Sequence, residues 1–332
     1  MALQGSGQIS FSQIENEFGQ NGERSIGDYR TSQSVGELSN LPLDSGIPQS
    51  GEIRFSHFRG KSLNVVVNLY SGGREDHINA KTNKWNNNNI VIINPSTVSK
   101  KEEGTKIIIR VNKKFGSDKS QDTNCALRTG TWNNPASVVV DLGSNAKILG
   151  AGGNGGRGAD GITNPGVAGG DGSSGLGIEH QGTIVNYRSG SVIRAGFGGG
   201  GGGGGGRETS KNDRRAGGGG GGGGAGCPAG NGGQGGDTGG GFGSGAGQPG
   251  GAGTETTGGG GGGGGNNAGQ AGGASGGSGG QASSNAGGGG NRNTSGGSGG
   301  GNGAAIRRTS GFSVTINNSG SIQGDQNATG VN

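Results

Sequence analysis

Residues 196–303 contain three unbroken glycine runs, Gly198–Gly206, Gly217–Gly224 and Gly258–Gly265, separated by short polar inserts such as RETSKNDRR at 207–215. All but 15 of the 92 glycines in the 332-residue chain lie at or after position 150. Glycine has no side chain to bury, and it loses more backbone freedom on folding than any other residue. This half of the chain therefore cannot build an ordinary hydrophobic core.

A glycine-rich sequence of this kind has two structural interpretations. The simpler one is a disordered linker. The runs have similar lengths and recur about every 20 residues, which favours an ordered arrangement instead. Glycine can adopt the left-handed threefold helix with a rise of about 3.1 Å per residue, and such helices pack axis to axis only where glycine leaves room.

A threefold helix of this type makes no internal hydrogen bonds, so each amide and carbonyl must pair with water or with a neighbouring helix. Each such bond contributes about 0.5–1.5 kcal/mol net, against about 1–2 kcal/mol of backbone entropy per residue. An isolated run should therefore not fold. Many runs must pack together, with folded elements at their ends, and we predict such a polyglycine II bundle within residues 150–332.

Three segments combine two short apolar strands with a Ser/Gly/Asn turn and then continue into glycine, at 138–150, 183–196 and 312–324. Paired β-branched strands joined by Asn/Gly turns are typical of hairpins. We therefore predict three β-hairpins that bracket the glycine region before it, within it and after it.

Residues 63–149 are predicted to form a small β domain. Their β-branched runs are bounded by Asn, Gly and Pro, and four or five such strands suggest a β-sandwich. Trp85 and Trp132 have similar polar neighbours within this segment. Each tryptophan either fills a small core, which is the commoner case, or stacks on sugar rings. The runs are LNVVVNLY (63–70), NIVII (89–93), KIIIRV (106–111) and SVVVD (137–141).

The first sixty residues contain an internal repeat, because SGQISFSQI at 6–14 returns as SGEIRFSHF at 50–58. Ser12 and Glu15 have capping-box spacing and Gly19 follows as a stop signal, so a helix is predicted over 13–18, with two more at 25–30 and 56–59. Helices this short are marginal alone, so their apolar residues must pack on each other or on a partner protein. The partner-docking candidates are Ile9, Phe11, Ile14, Phe18, Tyr29, Ile53, Phe55 and Phe58.

Between positions 6 and 62 the sequence follows the pattern S-G-x-I-x-F-S-x-[IL], E-F-G, S-[IL]-x-[DE]-Y and G-[IV]-P-x-S-G-x-I-x-[FL]-S-x-F-x-G-K. This pattern resembles the N-terminal module of tailed-bacteriophage virion proteins, usually minor tail or tail-fibre-associated ones. The glycine-rich half resembles, in architecture, the polyglycine bundles at the tips of T-even-type long tail fibres, which are small adhesins whose loops bind outer-membrane receptors. The resemblance implies a virion location, tail or fibre proteins as partners, and a protein or glycan receptor on the host cell.

Polar loops on a rigid scaffold are common recognition sites. If the glycine runs zigzag, alternate inserts share one end of the bundle. The inserts are 207–216, 225–238, 248–257, 266–286 and 291–295. For each insert the alternative, a simple linker between helices, stays open. The candidate receptor-binding residues are Arg207, Glu208, Lys211, Asp213, Arg214, Arg215, Asp237, Glu255, Asn266, Asn267 and Arg292.

The sequence does not predict an enzyme or a cofactor, because His57, His77 and His180 are isolated and no metal-ligand spacing or nucleophile motif is present. The net charge of +5 and pI of about 9.4 raise the question of nucleic acid. No arginine is followed by two glycines and aromatic residues are rare in the glycine region, so no nucleic-acid partner is predicted.

The sequence shows no signal peptide and no apolar stretch of membrane length, so we expect synthesis in the host cytoplasm without membrane insertion. Cys125 and Cys227 form no ligand cluster and are predicted to be ordinary thiols, with a disulfide as the minor alternative.

The sequence thus predicts a mainly β protein with a small N-terminal α/β docking module (1–62), a β-sandwich-like domain (63–149) and a polyglycine II bundle with β-hairpin clamps (150–332). Its predicted function is that of a phage tail or tail-fibre structural protein, a distal adhesin that presents loops to a host receptor. The alternative is a purely architectural fibre, neck or capsid-decoration protein. A free ice-binding or cell-wall protein fits the bundle but not the docking-like N terminus. The sequence does not predict an oligomeric state.

Overall fold

A computed structural model describes residues 3–18, 25–30, 46–48, 50–61, 64–69, 91–92, 106–117, 124–132, 137–208, 214–238, 245–266, 272–318 and 320–331. Within these residues the protein is mainly β, as predicted. Helix α1 (Phe11–Phe18) and the 3-10 turns Ile26–Asp28 and Phe55–Phe58 precede the strands. The strands are β1 (Asn64–Leu69), β2 (Val91–Ile92), β3 (Lys106–Val111), β4 (Lys114–Phe115), β5 (Cys125–Arg128), β6 (Ser137–Leu142), β7 (Lys147–Leu149), β8 (Ser174–Ile178), β9 (Thr183–Tyr187), β10 (Val192–Arg194), β11 (Gly206–Glu208), β12 (Arg214–Ala216), β13 (Ile306–Arg308), β14 (Val314–Asn318), β15 (Ser321–Gln323) and β16 (Ala328–Thr329).

Three parallel sheets form a three-sided β-helix. Sheet A has the strand order β1-β3-β6-β9-β14, sheet B the order β4-β7-β10-β15, and sheet C the order β2-β5-β8-β13-β16. The chain visits the three sheets in turn, so each complete coil supplies one strand to each sheet. Every strand pairs in parallel with its equivalents in adjacent coils. Val140 of β6, for example, lies between Ile109 of β3 and Val185 of β9.

The interior of the β-helix is filled by the inward-facing residues of all three sheets. Alternation along β3 places Ile107 and Ile109 inside, fully buried, and turns Ile108 outward. Trp132 belongs to this core, and its Nε1–H donates to the Thr129 carbonyl at 2.8 Å. The core interpretation is therefore confirmed for Trp132, whereas Trp85 lies outside the described residues.

The predicted β-sandwich is wrong. Sandwiches are built from antiparallel sheets, but β1, β3 and β6 pair in parallel. β-Branched runs bounded by turn residues specify a strand without specifying the direction of its partner. Sheet A also joins β6 to β9 and sheet B joins β7 to β10, so strands on both sides of position 150 share sheets.

The three predicted β-hairpins are also wrong. In 138–150, 183–196 and 312–324, the first strand lies in sheet A and the second in sheet B. The turn between them is a corner of the β-helix. At the first corner, Gly143 N–H donates to the Val111 carbonyl at 2.9 Å, which ties the corner to the preceding coil and leaves the two flanking strands unpaired with each other.

The N-terminal module packs on the outer face of sheet A. Ile108 and Val139 project from that face into a second apolar cluster, which is separate from the β-helix core. The module contributes the buried side chains of Leu3, Ile14, Phe18, Tyr29, Ile47 and Phe58 to this cluster. The sequence left open whether the apolar residues of the short helices pack on each other or on a partner protein. In the structure they pack on each other and on a sheet of the same chain.

Helix α1 begins two residues before the predicted start. Gln13 N–H donates to Ser10 Oγ at 3.2 Å and Ser10 N–H donates to Gln13 Oε1 at 2.8 Å, so the capping box is formed by Ser10 and Gln13 rather than by Ser12 and Glu15. The predicted helices at 25–30 and 56–59 are the 3-10 turns Ile26–Asp28 and Phe55–Phe58.

The glycine-rich segments leave the β-helix at one corner, the one between sheets B and C. Residues 150–173 connect β7 to β8 in one coil, and residues 195–305 connect β10 to β13 in the next coil. Both excursions start and end on adjacent coils, so they emerge side by side.

The described residues of these excursions form ten glycine-rich runs, joined by backbone hydrogen bonds that recur every three residues. Runs I and III, for example, are joined by N–H···O bonds from Gly153 to Phe197, from Gly156 to Gly200 and from Ala159 to Gly203, at 2.8–2.9 Å. The runs are I (152–160), II (166–173), III (196–205), IV (217–226), V (230–237), VI (245–254), VII (258–265), VIII (273–280), IX (286–290) and X (296–303).

Runs III and IV lie at the centre of this bundle, and each is hydrogen-bonded to six neighbours. Run III contacts runs I, II, IV, VIII, IX and X, and run IV contacts runs I, III, V, VI, VII and VIII. The other eight runs form a closed ring in the order I, II, X, IX, VIII, VII, VI, V. This connectivity corresponds to hexagonal packing in three layers of three, four and three runs.

The lattice explains where glycine is required. A Cβ on Gly202 of run III would lie 1.9 Å from the Arg157 carbonyl oxygen, and one on Gly221 of run IV would lie 1.9 Å from that of Gly200. Some rim runs carry a side chain at every third position, as at Asn154 and Arg157 in run I, whereas rim run VII is unbroken glycine. The middle stretches of the two central runs, 198–205 and 217–224, are thus unbroken glycine, whereas rim runs such as I and V have the pattern Gly-Gly-x.

Candidate functional site

The turns between the glycine runs lie at two ends of the bundle. Run I leaves β7 and run II returns to β8, so the turn 161–165 is far from the β-helix, at what we call the distal end. The parallel and antiparallel hydrogen-bond pairings place 206–208 and 214–216, Thr238, Asn266 and 291–295 at the same end. The turns 227–229, 255–257 and 281–285 lie at the opposite, proximal end, next to the β-helix.

A short antiparallel hairpin, β11 with β12, forms the central feature of the distal end. Arg207 pairs with Arg215 in its register. The hairpin is tied to the neighbouring turn because Arg207 N–H donates to Asn293 Oδ1 at 2.7 Å. Ala216 forms a bridge with Gly245, which begins run VI. The hairpin, the turn 291–295 and the start of run VI therefore meet at the distal surface.

A second distal cluster joins runs I and V through one arginine and two aspartates. Arg157 donates to both carboxylate oxygens of Asp160 at 2.7 Å and to Asp237 Oδ2 at 3.3 Å. Asp237 N–H also donates to Asp160 Oδ1 at 2.8 Å. Partial burial raises the pKa of Asp160, but the hydrogen bonds from the Asp237 amide and from Arg157 outweigh it, so this pKa lies below its ordinary value.

The structure brings most of the predicted receptor-binding residues to the distal end, namely Arg207, Glu208, Arg214, Arg215, Asp237, Asn266 and Arg292. Lys211, Asp213 and Asn267 lie outside the described residues. Glu255 is at the proximal end instead. The distal turn that follows Asp160 is not among the predicted inserts, although the break of the Gly-Gly-x pattern at Gly161-Ile-Thr-Asn-Pro165 marks it.

Glu255 holds the proximal end of the bundle on the β-helix. Lys147 Nζ lies 2.8 Å from Glu255 Oε1 and Lys114 Nζ lies 3.0 Å from Oε2, so one carboxylate joins two coils of sheet B. Arg194 of β10 donates to the Glu255 carbonyl. Burial raises the pKa of Glu255, but the hydrogen bonds from Lys147 and Lys114 outweigh it and the pKa lies below its ordinary value of 4.5.

Loss of this anchor should give a pH-dependent difference in stability. A carboxylate with a lowered pKa contributes stability above its unfolded-state pKa, and this contribution is lost as the pH falls through the folded-state pKa. Glu255→Gln should therefore be less stable than wild type near neutral pH, by at most about 1 kcal/mol because the ion pairs are partly exposed. The difference should shrink in urea unfolding as the pH falls below 4.5 and through the folded-state pKa of Glu255.

The matched control for this measurement is Glu52→Gln, which removes an exposed carboxylate paired with Arg54 in the N-terminal module. It should leave the stability of the protein unchanged. A deficit of Glu255→Gln that is equally large at neutral and acid pH would contradict an electrostatic anchor and would indicate a packing role.

Both cysteines are free. Cys125 is buried in sheet C, and burial raises its pKa to about 12, so the thiol is protonated and unreactive. Cys227 is half-buried at the proximal turn, where burial also raises its pKa. Within the described part of the chain, no group of three or more His, Cys, Asp or Glu residues is placed to hold a metal ion.

The N-terminal docking candidates divide into two groups. Four of them are buried in the cluster against sheet A: Ile14, Phe18, Tyr29 and Phe58. The others lie at its margin: Ile9, Phe11 and Ile53 are half-buried and Phe55 is 42% exposed. Phe11 and Phe55 occupy equivalent positions of the sequence repeat. Their rings pack edge to face, with 6.3 Å between the ring centroids. We call these four marginal residues the N-terminal patch.

No protein-family model and no curated protein matches the sequence. A solved structure that is similar to this one is the crystal structure of the gp37–gp38 adhesin tip complex of the bacteriophage S16 long tail fibre. The two chains are 20% identical, the match covers 98% of this chain and 99% of the other, and the TM-score is 0.35. The identity and the TM-score are both low, so the likeness assigns no function.

Among the residues that the structure describes, no helix is both long enough and apolar enough to cross a membrane.

Proposed function

We propose that the protein is a structural protein of a tailed-phage virion, carried on the tail or a tail fibre, and that the distal end of its glycine bundle binds a receptor on the host cell. The observation that carries this proposal is the convergence of polar turns from separate connections on one end of a rigid scaffold. The phage-like pattern in the first sixty residues supports the virion location.

The scaffold, in this proposal, is a bundle of polyglycine II helices. The three-residue repeat of the hydrogen bonds is the repeat of that helix. Six neighbours around runs III and IV give each amide of these two runs an acceptor, which is a backbone carbonyl of another run for all but Gly198 and Gly205. Such a lattice is stiff because shifting one run breaks bonds to several others, and a stiff scaffold holds its end loops in a fixed arrangement.

Recognition at the distal end would use side chains that the scaffold does not need. Asn266 and Arg292 are exposed there. Other distal side chains have structural partners, since Asn293 accepts from the Arg207 amide and Thr294 Oγ1 accepts from Gly205 N–H at 2.7 Å. Structural contacts thus hold the turns in place, while Asn266 and Arg292 face outward.

Attachment to the virion would use the opposite part of the molecule. The N-terminal patch of Ile9, Phe11, Ile53 and Phe55 is apolar and partly exposed. Aromatic side chains contribute strongly to protein–protein interfaces, because they bury a large area at low entropic cost. A tail or fibre protein is the partner that the N-terminal sequence pattern implies.

The proposal is tested by comparing matched substitutions at the two ends of the bundle. The distal variant carries Asn266→Ala and Arg292→Ala, and the proximal control carries Thr256→Ala and Ser283→Ala, all at exposed positions. Fluorescently labelled purified protein is incubated with intact cells of a panel of Gram-negative strains, and bound fluorescence is measured by flow cytometry. We expect binding to a recognised strain to fall about tenfold or more for the distal variant only.

Equal binding by the distal variant and wild type would contradict receptor binding at this end. The protein would then fit the architectural alternative, a fibre, neck or capsid-decoration protein without a receptor. Equal loss of binding in both variants would also contradict the proposal, since it would indicate a general change in the bundle. Circular dichroism and thermal unfolding of both variants check that the bundle is intact.

A further inference from the structure

A pocket of about 230 Å³ lies where the proximal end of the bundle meets the last coil of the β-helix. None of the candidate receptor-binding residues lines it. Its walls come from run III, run X, the start of β13 and the last corner between sheets B and C. The lining residues are Phe197, Asn302, Gly303, Ala304, Arg307, Gly324, Asp325 and Ala328.

The pocket exists because the last corner is short. The same corner carries residues 150–173 and 195–305 in the two preceding coils, but in the last coil only 324–327 connect β15 to β16. The short corner leaves a recess beside runs III and X. The corner 324–327 is held in position because Ile306 N–H donates to the Asp325 carbonyl at 3.1 Å.

The polar groups of the pocket are held in place by the protein itself. Arg307 is 8% exposed, and its Nε donates to Ser174 Oγ at 3.1 Å. Asp325 Oδ1 accepts from the Asn327 amide at 2.8 Å. Asn302 Oδ1 accepts from Gly198 N–H at 3.1 Å. Groups fixed before a ligand arrives lose little entropy on binding.

The composition of the walls restricts the ligand. A guanidinium and a carboxylate both line the pocket, so an anion would meet Asp325 and a cation would meet Arg307. Ala328 and the small exposed part of Phe197, which is 4% exposed, add apolar lining. A neutral molecule with hydroxyl groups on its edge and a C–H face suits this combination. Pockets for drug-sized ligands measure about 300–1,000 Å³, so this smaller one admits a single ring.

We propose that this pocket binds one pyranose ring of a neutral saccharide. The apolar face of the ring lies against Ala328, and a hydroxyl group donates to the carboxylate of Asp325. The pocket is separate from the distal end, so the inference does not depend on receptor binding there.

The test is saturation-transfer NMR of the full-length protein with methyl glycosides of glucose, galactose, mannose and N-acetylglucosamine at millimolar concentration. We expect transfer to at least one of them. Asp325→Asn should weaken its binding about tenfold or more, because a hydrogen bond to a charged group is weakened. Ala328→Leu should abolish binding by filling the pocket. Glu52→Gln, an exposed carboxylate of the N-terminal module, should bind as wild type.

Asp325 is exposed, so its substitution by the isosteric asparagine keeps the test valid even if Ala328→Leu does not fold. The proposal is overturned if no glycoside shows transfer, or if the transfer is the same in wild type and Asp325→Asn. Preferential binding of a free amino acid would also overturn it, since that result would indicate a zwitterion site. The NMR result with glycosides does not depend on whether the distal variant loses binding to cells. Each of the two proposals can therefore fail without the other.

Discussion

Replacing Gly202 with alanine is expected to unfold the glycine bundle while the β-helix remains folded. The added Cβ would lie 1.9 Å from the carbonyl oxygen and 2.4 Å from the carbonyl carbon of Arg157. Both are backbone atoms of run I, which is itself bonded to four other runs, so neither can move without breaking the lattice. We expect a loss of at least about 3 kcal/mol, the upper part of the usual range for overpacked cores.

The matched control is Gly263→Ala on the rim. A Cβ at Gly263 meets no atom within 4 Å, and the residue is exposed. Its φ is not among the positive values in the chain, so alanine fits the backbone. Replacing glycine by alanine at such a position stabilises a protein by about 0.4–1 kcal/mol, because the unfolded chain has fewer conformations.

Hydrogen exchange measured by mass spectrometry distinguishes the two variants. Gly202→Ala should lose amide protection throughout 196–303 and keep it in β3 and β6. Gly263→Ala should keep the protection of the wild type. If Gly202→Ala retained full protection of the runs, the close-packed lattice would be incorrect.

The second large effect is expected in the N-terminal module, where Phe58→Ala should detach the module from sheet A. Phe58 is fully buried. The centroid of its ring lies 5.7 Å from that of Phe18 and 6.4 Å from that of Tyr29. Truncating a buried phenylalanine typically costs about 3–5 kcal/mol, because the cavity cannot be refilled. The module is small, so this loss is comparable with its whole stability.

Phe55→Ala is the control, because Phe55 is an aromatic residue of the same 3-10 turn but is 42% exposed. It should lower stability by less than about 1 kcal/mol. Urea unfolding measures the free energy of unfolding of both variants, and hydrogen exchange measures the amide protection of residues 11–18. Equal destabilisation by the two substitutions would show that Phe55 is part of the core and not of a surface patch.

The β region shows where sequence reasoning reached its limit. The sequence predicts strands at 106–111 and 137–141, and both are strands. Their pairing was not predictable from local pattern, because a strand, a short turn and a second strand can close as a hairpin or bend around a corner. Hydrogen bonds to the previous coil, such as that from Gly143 to Val111, select the corner.

The candidate site shows the same limit. Polar inserts between glycine runs are recognisable in the sequence, but the prediction that alternate inserts share one end is wrong: 207–208, 214–216 and 291–295 lie at the distal end, whereas 248–257 reaches the proximal end. The inserts 225–238 and 266–286 each contain a further run, V or VIII, which changes the alternation. The end at which Glu255 lies depends on the direction of run VI, and no local feature of the sequence encodes that direction. Only the pairing of run VI with run IV, through bonds such as Gly220 to Gln248, places Glu255 beside Lys114 and Lys147.

The sequence by itself determined that the second half must be held by backbone hydrogen bonds, since glycine offers nothing else. It also encoded the absence of side chains that the central positions need, because 198–205 and 217–224 meet neighbours on all sides. The equally pure run VII lies on the rim, so the glycine runs alone do not reveal which of them is central. Tertiary structure alone decided that the strands coil into a β-helix and that the N-terminal aromatic residues cover its outer face. Those choices depend on contacts between residues far apart in the chain, and a local pattern carries no information about which distant partner will complete its hydrogen bonds.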